Sequence, residues 1–266
     1  MDTGQDLKQI VKEKYGEIAV RSVPASSSCC GPGCGCSEEP IMADNYAGLV
    51  GYVPEADLGL GCGIPTDGAG IRSGNVVLDL GSGAGNDVFV ARRLVGETGR
   101  VIGVDFTPTM IQKAEANRQK LGYNNIEFHL GDIEDLPVES GSIDVVISNC
   151  VLNLVPDKQK AFAQIHRVLK PRGHFSISDV VLSAPLPSAL RSVAELYAGC
   201  VAGALLRDEY LSLIQKAGFR NVRVTKEKRI DISDDQLAGI LSPADLEAYR
   251  RSNARIESIT VMGEKA

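Results

Sequence analysis

NVVLDLGSGAGNDVFVARRL, residues Asn75 to Leu94, is a short apolar strand that runs into a carboxylate, then Gly81, Gly83 and Gly85, and then a helix. A loop of this kind holds a nucleotide-like ligand, because a residue without Cβ takes positive φ and lets backbone N–H groups approach closely. Read alone, the stretch is also compatible with a plain strand-to-helix turn. Its acidic residue precedes the glycines, as Asp79 in D-x-G-x-G-x-G, where a phosphate-binding fingerprint carries no negative charge. That order favours a ligand carrying positive charge.

The segments downstream narrow the reading. RVIGVD, Arg100 to Asp105, is a second apolar strand ending in a carboxylate roughly 20 residues past the loop, the place where an acid commonly binds ribose hydroxyls. Pro108 opens an amphipathic helix through about Leu121, NIEFHL (Asn125 to Leu130) makes a third strand, and Gly131-Asp132-Ile133-Glu134 follows at its carboxyl end. SIDVVIS (Ser142 to Ser148) is a fourth strand with Asn149 and Cys150 at its end, and Leu169-Lys170-Pro171-Arg172-Gly173 precedes a fifth strand running to about Leu182. From about Gly74 to Leu182 the chain resembles the class I methyltransferases that use S-adenosylmethionine, whose sulfonium and amino groups are cationic. The resemblance implies an α/β Rossmann-like fold with a mostly parallel seven-stranded sheet, helices on both faces and a helical substrate-side lid. It assigns to the cofactor Asp79, Gly81, Ser82, Gly83 and Gly85, then Asp105 and Phe106, the adenine-side turn Gly131, Asp132 and Ile133, and Asn149.

Bulk properties agree. Of 266 residues 44% are hydrophobic, and no apolar run approaches the ~20 residues a membrane helix needs. Lys plus Arg number 28 against 34 Asp plus Glu, a net charge of −6 without a basic block, which argues against a nucleic-acid partner. The N-terminus lacks the apolar core of a signal peptide and reads as an amphipathic helix with Leu7, Ile10, Val11 and Ile18 on one side. These features place the protein in the cytoplasm, where thiols stay reduced.

In that compartment the seven cysteines point to metal binding or catalysis before disulfides. Four fall in SSSCCGPGCGC (Ser26 to Cys36), a Gly, Ser and Pro-rich loop carrying Cys29, Cys30, Cys34 and Cys36. Exchangeable thiols, soft-metal binding and structural zinc are all open there, although the spacing departs from C-x₂₋₄-C and no histidine is near. Cys62 lies in LGLGCGIP before the glycine loop, Cys150 follows the fourth strand, and Cys200 ends AELYAGC after the fifth. Each alone reads as core packing, since unpaired cysteine is among the most buried residue types. Position argues otherwise: Cys150 sits at the switch point where open α/β sheets bind ligands, and the other two lie in segments that cover the substrate side. His129, His166 and His174 fall outside every candidate motif, so a base for an oxygen or nitrogen acceptor is not in view. Thiolates select soft centres, and tricoordinate arsenic(III) fits three of them.

At these residues the chain is similar to the arsenite S-adenosylmethionine methyltransferases, through the N-terminal Cys pair, G-L-G-C-G-I-P, S-N-C-V-L-N-L and Y-A-G-C. The resemblance implies Cys62, Cys150 and Cys200 as the arsenic-binding positions and one of Cys29 or Cys30 as a redox cysteine. It further implies arsenite and methylarsenite as substrates, methylated arsenicals as detoxification products, and a thiol reductant, thioredoxin or glutathione. Cys34 and Cys36 depart from the simplest pattern, and larger relatives carry a further C-terminal domain for which this length leaves no room. A methyltransferase for a small organic acceptor and a thiol-based metalloid-binding protein remain the alternatives. The expected organisation is an N-terminal helix and Cys-rich substrate-side segment over 1–73 and an S-adenosylmethionine-dependent methyltransferase domain over 74–266, with a lid insertion at about 184–206. Arg207 to Ala217 reads as a helix, Gly218 to Ile230 as a sixth strand, Pro243 to Arg255 as a surface helix and Glu257 to Ala266 as an antiparallel seventh strand.

Overall fold

The computed structural model describes residues 3–21, 44–186, 203–231 and 241–266. Its elements run α1 (Thr3–Arg21), β1 (Val76–Leu80), α2 (Asn86–Val95), β2 (Arg100–Asp105), α3 (Pro108–Leu121), β3 (Ile126–Leu130), β4 (Ile143–Asn149), a 3₁₀ turn (Leu152–Leu154), α4 (Lys158–Val168) and β5 (Leu169–Leu182). Then follow α5 (Arg207–Lys216), β6 (Arg220–Ile230), α6 (Pro243–Ser252) and β7 (Ile256–Glu264). The strands form one seven-stranded sheet in the order β3-β2-β1-β4-β5-β7-β6. β1 pairs in parallel with both β2 and β4, and β7 runs antiparallel to β5 and β6. The expected Rossmann-like α/β sheet is thus present, with its topological switch between β1 and β4.

The central strands are apolar on both faces because both are covered. Leu78 and Leu80 of β1 pack with Phe162 and Ile165 of α4 and with Tyr210 and Ile214 of α5. Val77, offset by one residue and so on the opposite face, packs with Val88, Phe89, Ala91 and Val95 of α2. Asp157 caps α4 by accepting from the Lys160 N–H, and Ser242 caps α6 by accepting from the Asp245 N–H. In α1 Val11 and Ala19 are buried, as an amphipathic helix requires, while the side chains of Leu7 and Ile10 lie outside the described set.

One boundary departs from the sequence reading. Leu169 to Gly173 does not precede β5; the strand begins at Leu169, which pairs with Ile143. Pairing then jumps to Val145↔His174, so the strand bulges over Lys170–Gly173, where Arg172 takes φ 65°. A Pro and Gly-rich run reads locally as a turn, and the ladder absorbs it as a bulge. The lid helices expected over Leu186 to about Leu206 fall mostly outside the described residues, as does all of Ser26 to Cys36.

Asp179 sits wholly buried in mid-β5, its Oδ2 accepting from the Tyr210 hydroxyl at 3.1 Å and its Oδ1 from the Val180 N–H at 3.1 Å. Burial raises its carboxyl to about 7, against the pull of Lys158 and these hydrogen bonds. An unfolded aspartate titrates near about 4, so the native state keeps a proton that the unfolded chain releases in between. That contribution is fully present below about pH 4 and is lost as pH rises to about 7, on the order of 3 to 4 kcal/mol in all. Asp179→Asn keeps one of the two acceptors and removes the titration, so whatever its absolute stability the urea midpoints of the variant should fall less steeply over this window than those of the wild type; parallel slopes would refute the assignment.

Candidate cofactor and thiol site

β1 ends at Leu80, and the chain leaves the sheet through Gly81, whose φ is 66°. A Cβ there would sit 2.5 Å from a Val151 methyl, so the glycine also lets the loop lie against the segment that follows β4. The Gly81 and Ser82 N–H groups bond to Val104 O at 2.7 and 3.1 Å, and α2 starts after Gly85 with Asp87 in its first turn. On β2, Asp105 clasps the same loop: its Oδ2 accepts from the Gly83 N–H at 3.0 Å and its Oδ1 from the Thr107 N–H at 2.8 Å. Each oxygen keeps a further lone pair for a ligand.

A cleft enclosing about 1170 Å³, its open mouth included, runs over the carboxyl ends of β1, β2 and β4. All eleven sequence-selected cofactor residues except Gly85 line it, together with Cys150. Its electrostatics are unusual. Asp79 is wholly buried, and its carboxyl is pushed well above the ordinary range by burial and then by the charges of Asp87 and Asp105. Burial raises Asp87 to about 6 against hydrogen bonds from Asn149 and Tyr46, and burial likewise raises Asp105. Among the described residues no donor reaches the Asp79 carboxylate, and the buried Ser82 Oγ and Asn86 Oδ1 on the cleft wall have no partner. Three carboxylates around a cavity with unmet polar atoms fit a ligand with cationic centres and hydroxyls, and they repel a phosphate. S-adenosylmethionine meets that demand.

Two features escape sequence reasoning. α1 crosses the cleft: Lys8, Val11 and Tyr15 line it, and Lys8 Nζ pairs with Asp132 Oδ2 at 2.6 Å and Glu134 Oε2 at 2.7 Å. Asp132 Oδ1 accepts the Glu134 N–H, so the carboxylate at the expected adenine turn is already held on both oxygens. The second feature is a buried knot around Asn149. Its amide nitrogen lies 2.8 Å from Tyr46 Oη, 2.8 Å from Gly63 O and 3.1 Å from Asp87 Oδ2, while its Oδ1 accepts the Cys62 N–H at 3.0 Å. Tyr46 belongs to no motif, and Asp87 reads as an ordinary first-turn acid, so neither carries a local signal.

The knot brings two of the selected cysteines together. Cys62 and Cys150 are both thiols, buried in one apolar cluster with Leu154, Val180, Leu182 and Ile256. Cys150 takes φ 60°, a left-handed conformation uncommon outside glycine, and its N–H donates to Ser178 O at 2.8 Å. Of the two only Cys150 lines the cleft; Cys62 lies behind the wall formed by its neighbour Gly61. Cys29, Cys30, Cys34, Cys36 and Cys200 lie outside the described residues, and none of the three histidines lines the cleft.

A methyltransferase-domain family model matches residues 71–218. The chain is 40% identical to an arsenite methyltransferase of Halobacterium salinarum over 92% of this chain and 67% of that protein. It is 35% identical to one of Aquipseudomonas alcaligenes, over 90% of this chain and 69% of the other. The crystal structure of an arsenic(III) S-adenosylmethionine methyltransferase from Chlamydomonas reinhardtii superposes with a TM-score of 0.65 at 42% identity, covering 76% of this chain and 66% of that one. The chain spans about two thirds of the length of these relatives. With a class I sheet, a cleft built for a cationic cofactor, the thiol of Cys150 at its switch point and that of Cys62 behind its wall, this chain belongs to the S-adenosylmethionine-dependent arsenite methyltransferase family.

Proposed function

We propose that the chain methylates trivalent arsenic held as a thiolate complex by Cys62, Cys150 and Cys200, with arsenite and methylarsenite as substrates. The observation that carries this reading is the hydrogen bond from the Cys62 N–H to Asn149, which ties one thiol loop to the residue preceding Cys150 at the edge of the cofactor cleft. Cys200 lies outside the described residues and is the third thiol on this reading, three positions before Gly203, which packs closely against Asn153 of the 3₁₀ turn that follows Cys150. The N-terminal segment over 1–73 supplies thiols and covers the substrate side of the unit over 74–266, with the insertion at about 184–206 as lid.

In the mechanism Asp79, Ser82 and the glycine loop would hold the amino acid end of S-adenosylmethionine, Asp105 the ribose, and Phe106, Asp132 and Ile133 the adenine side. When bound, this cofactor would supply an electrophilic methyl on a sulfonium and leave as the neutral thioether S-adenosylhomocysteine; the methylated arsenic is formally two electrons more oxidised, and a thiol reductant such as thioredoxin or glutathione would return it to the trivalent state. No general base is needed, because the attacking pair is a lone pair and carries no proton. The protein's contribution is position: the cysteines fix arsenic beside the cleft, and holding reactants in near-attack geometry can lower a barrier by roughly 7 to 11 kcal/mol. Cys29 or Cys30 serves the redox relay, by thiolate attack through a mixed disulfide. The protein acts in the cytoplasm on small arsenicals.

Three outcomes follow from these roles. Asp105→Ala removes an ionised ribose acceptor and the clasp on Gly83, so calorimetry should show cofactor affinity weakened by about 1.5 to 3 kcal/mol per lost bond; unchanged affinity would sink the assignment. Arsenite offers three sites to sulfur and methylarsenite only two, so Cys150→Ser should lose both methylations while Cys62→Ser loses chiefly the first. Equal losses on both substrates for Cys62→Ser, or full activity of Cys150→Ser, would refute the scheme. Replacing both Cys29 and Cys30 by Ser should slow multiple turnovers of arsenite with a thioredoxin system and leave S-adenosylmethionine binding intact; an unimpaired double variant would make that loop a passive linker.

A further inference from the structure

Cys62 is held by its backbone as well as by packing. Its N–H donates to Asn149 Oδ1 at 3.0 Å, and its carbonyl accepts from the Ser258 hydroxyl. Gly61 and Gly63 on either side admit no side chain: a Cβ would lie 2.6 Å from Asn149 Nδ2 at the first and 2.6 Å from Ser178 Oγ at the second. The loop is therefore pressed onto the end of β4 and the middle of β5 beside it.

What fixes the Asn149 amide lies on two other elements. With its oxygen committed to the Cys62 N–H, its nitrogen must face acceptors, and it meets Gly63 O, Tyr46 Oη and Asp87 Oδ2. The Tyr46 hydroxyl lies 2.9 Å from Asp87 Oδ1 and 3.0 Å from Gly63 O, so it links the carboxylate to the loop. Tyr46 and Asp87 are both buried on the cleft wall, where Asp87 adds to its negative charge, and the proposed methyl transfer gives neither a contact with arsenic. Exchanging the amide's oxygen and nitrogen would set N–H against N–H at Cys62 and oxygen against carboxylate at Asp87. The knot therefore has one consistent arrangement.

We propose that Tyr46 and Asp87, acting through Asn149, are positioning residues that hold Cys62 for the unmethylated substrate and so set the preference for arsenite over methylarsenite. The inference rests on the three-thiolate reading above. A displaced Cys62 weakens a three-sulfur complex and leaves a two-sulfur complex on Cys150 and Cys200 intact. A purely structural role would affect both substrates alike.

The test is calorimetric titration of the full chain, without cofactor, with arsenite and separately with methylarsenite. Tyr46→Phe keeps the ring and removes the hydroxyl; arsenite should bind about tenfold more weakly, the loss expected for one hydrogen bond to a charged group, and methylarsenite should bind within about twofold of the wild type. Asp87→Asn provides the same comparison from the other end of the knot, should Tyr46→Phe prove unstable. Unchanged arsenite affinity in both variants, or equal weakening for the two arsenicals, overturns the inference. If arsenite binding is lost in Cys150→Ser but unaffected in Tyr46→Phe, the three-thiolate reading stands and only this inference falls; a wild-type chain that binds no arsenite overturns both.

Discussion

Negative charge buried without its counterion is the constraint around which the site is organised. Asp79, Asp87 and Asp105 converge on one cleft at the carboxyl ends of β1 and β2, and Asp79 is raised by burial and by the two neighbouring carboxylates. Burying ionised carboxylates is costly unless each is paired or hydrogen-bonded. Asp105 is satisfied by two backbone N–H groups and Asp87 by Tyr46 and Asn149, while Asp79 is left to the ligand. A cationic cofactor relieves the whole arrangement, and a nucleotide phosphate aggravates it. The preference of the crevice for positive charge thus follows from carboxylates on β1, β2 and the first turn of α2 brought together at one cleft.

The same carboxylates tie the cofactor side to the thiol side. Asp87 belongs to the first turn of α2, directly after the glycine loop, yet its hydrogen bonds lead through Asn149 to the backbone of Cys62. β4 delivers Asn149 and Cys150 side by side, one to this knot and the other to the cleft. Cofactor crevice and thiol loop are therefore built on a common buried polar core, and a side chain in it serves both.

How much of this was legible in the sequence depends on range. The glycine loop, Asp79 and Asp105 were readable because each is defined by neighbours within one strand and turn, where conformation and chemistry coincide. The succession of strands and helices was readable from their alternating signals and the mostly parallel sheet from the family resemblance, and β7, the strand expected at the terminal apolar run, enters antiparallel between β5 and β6. The start of β5 was not legible, because a Pro-Gly run is a turn locally and becomes a bulge only against β4. Tyr46, Asp87 and the pairing of Lys8 with Asp132 and Glu134 were illegible for a stronger reason. Tyr46 lies 41 residues from Asp87 and 103 from Asn149, and Lys8 lies 124 from Asp132, so no local period or spacing marks them. Cys62 and Cys150 were found through chemical type and place in the fold, which is how distant thiols become readable at all.

The central claim is that arsenic is carried by protein sulfur alone before it is methylated. X-ray absorption spectroscopy at the arsenic edge on the arsenite-loaded chain tests it most directly. The account predicts three sulfur neighbours for arsenite, and two sulfurs with one carbon when the protein is loaded with methylarsenite. Oxygen in the first shell of the arsenite complex, or an unchanged sulfur count in the Cys150→Ser variant, would contradict it.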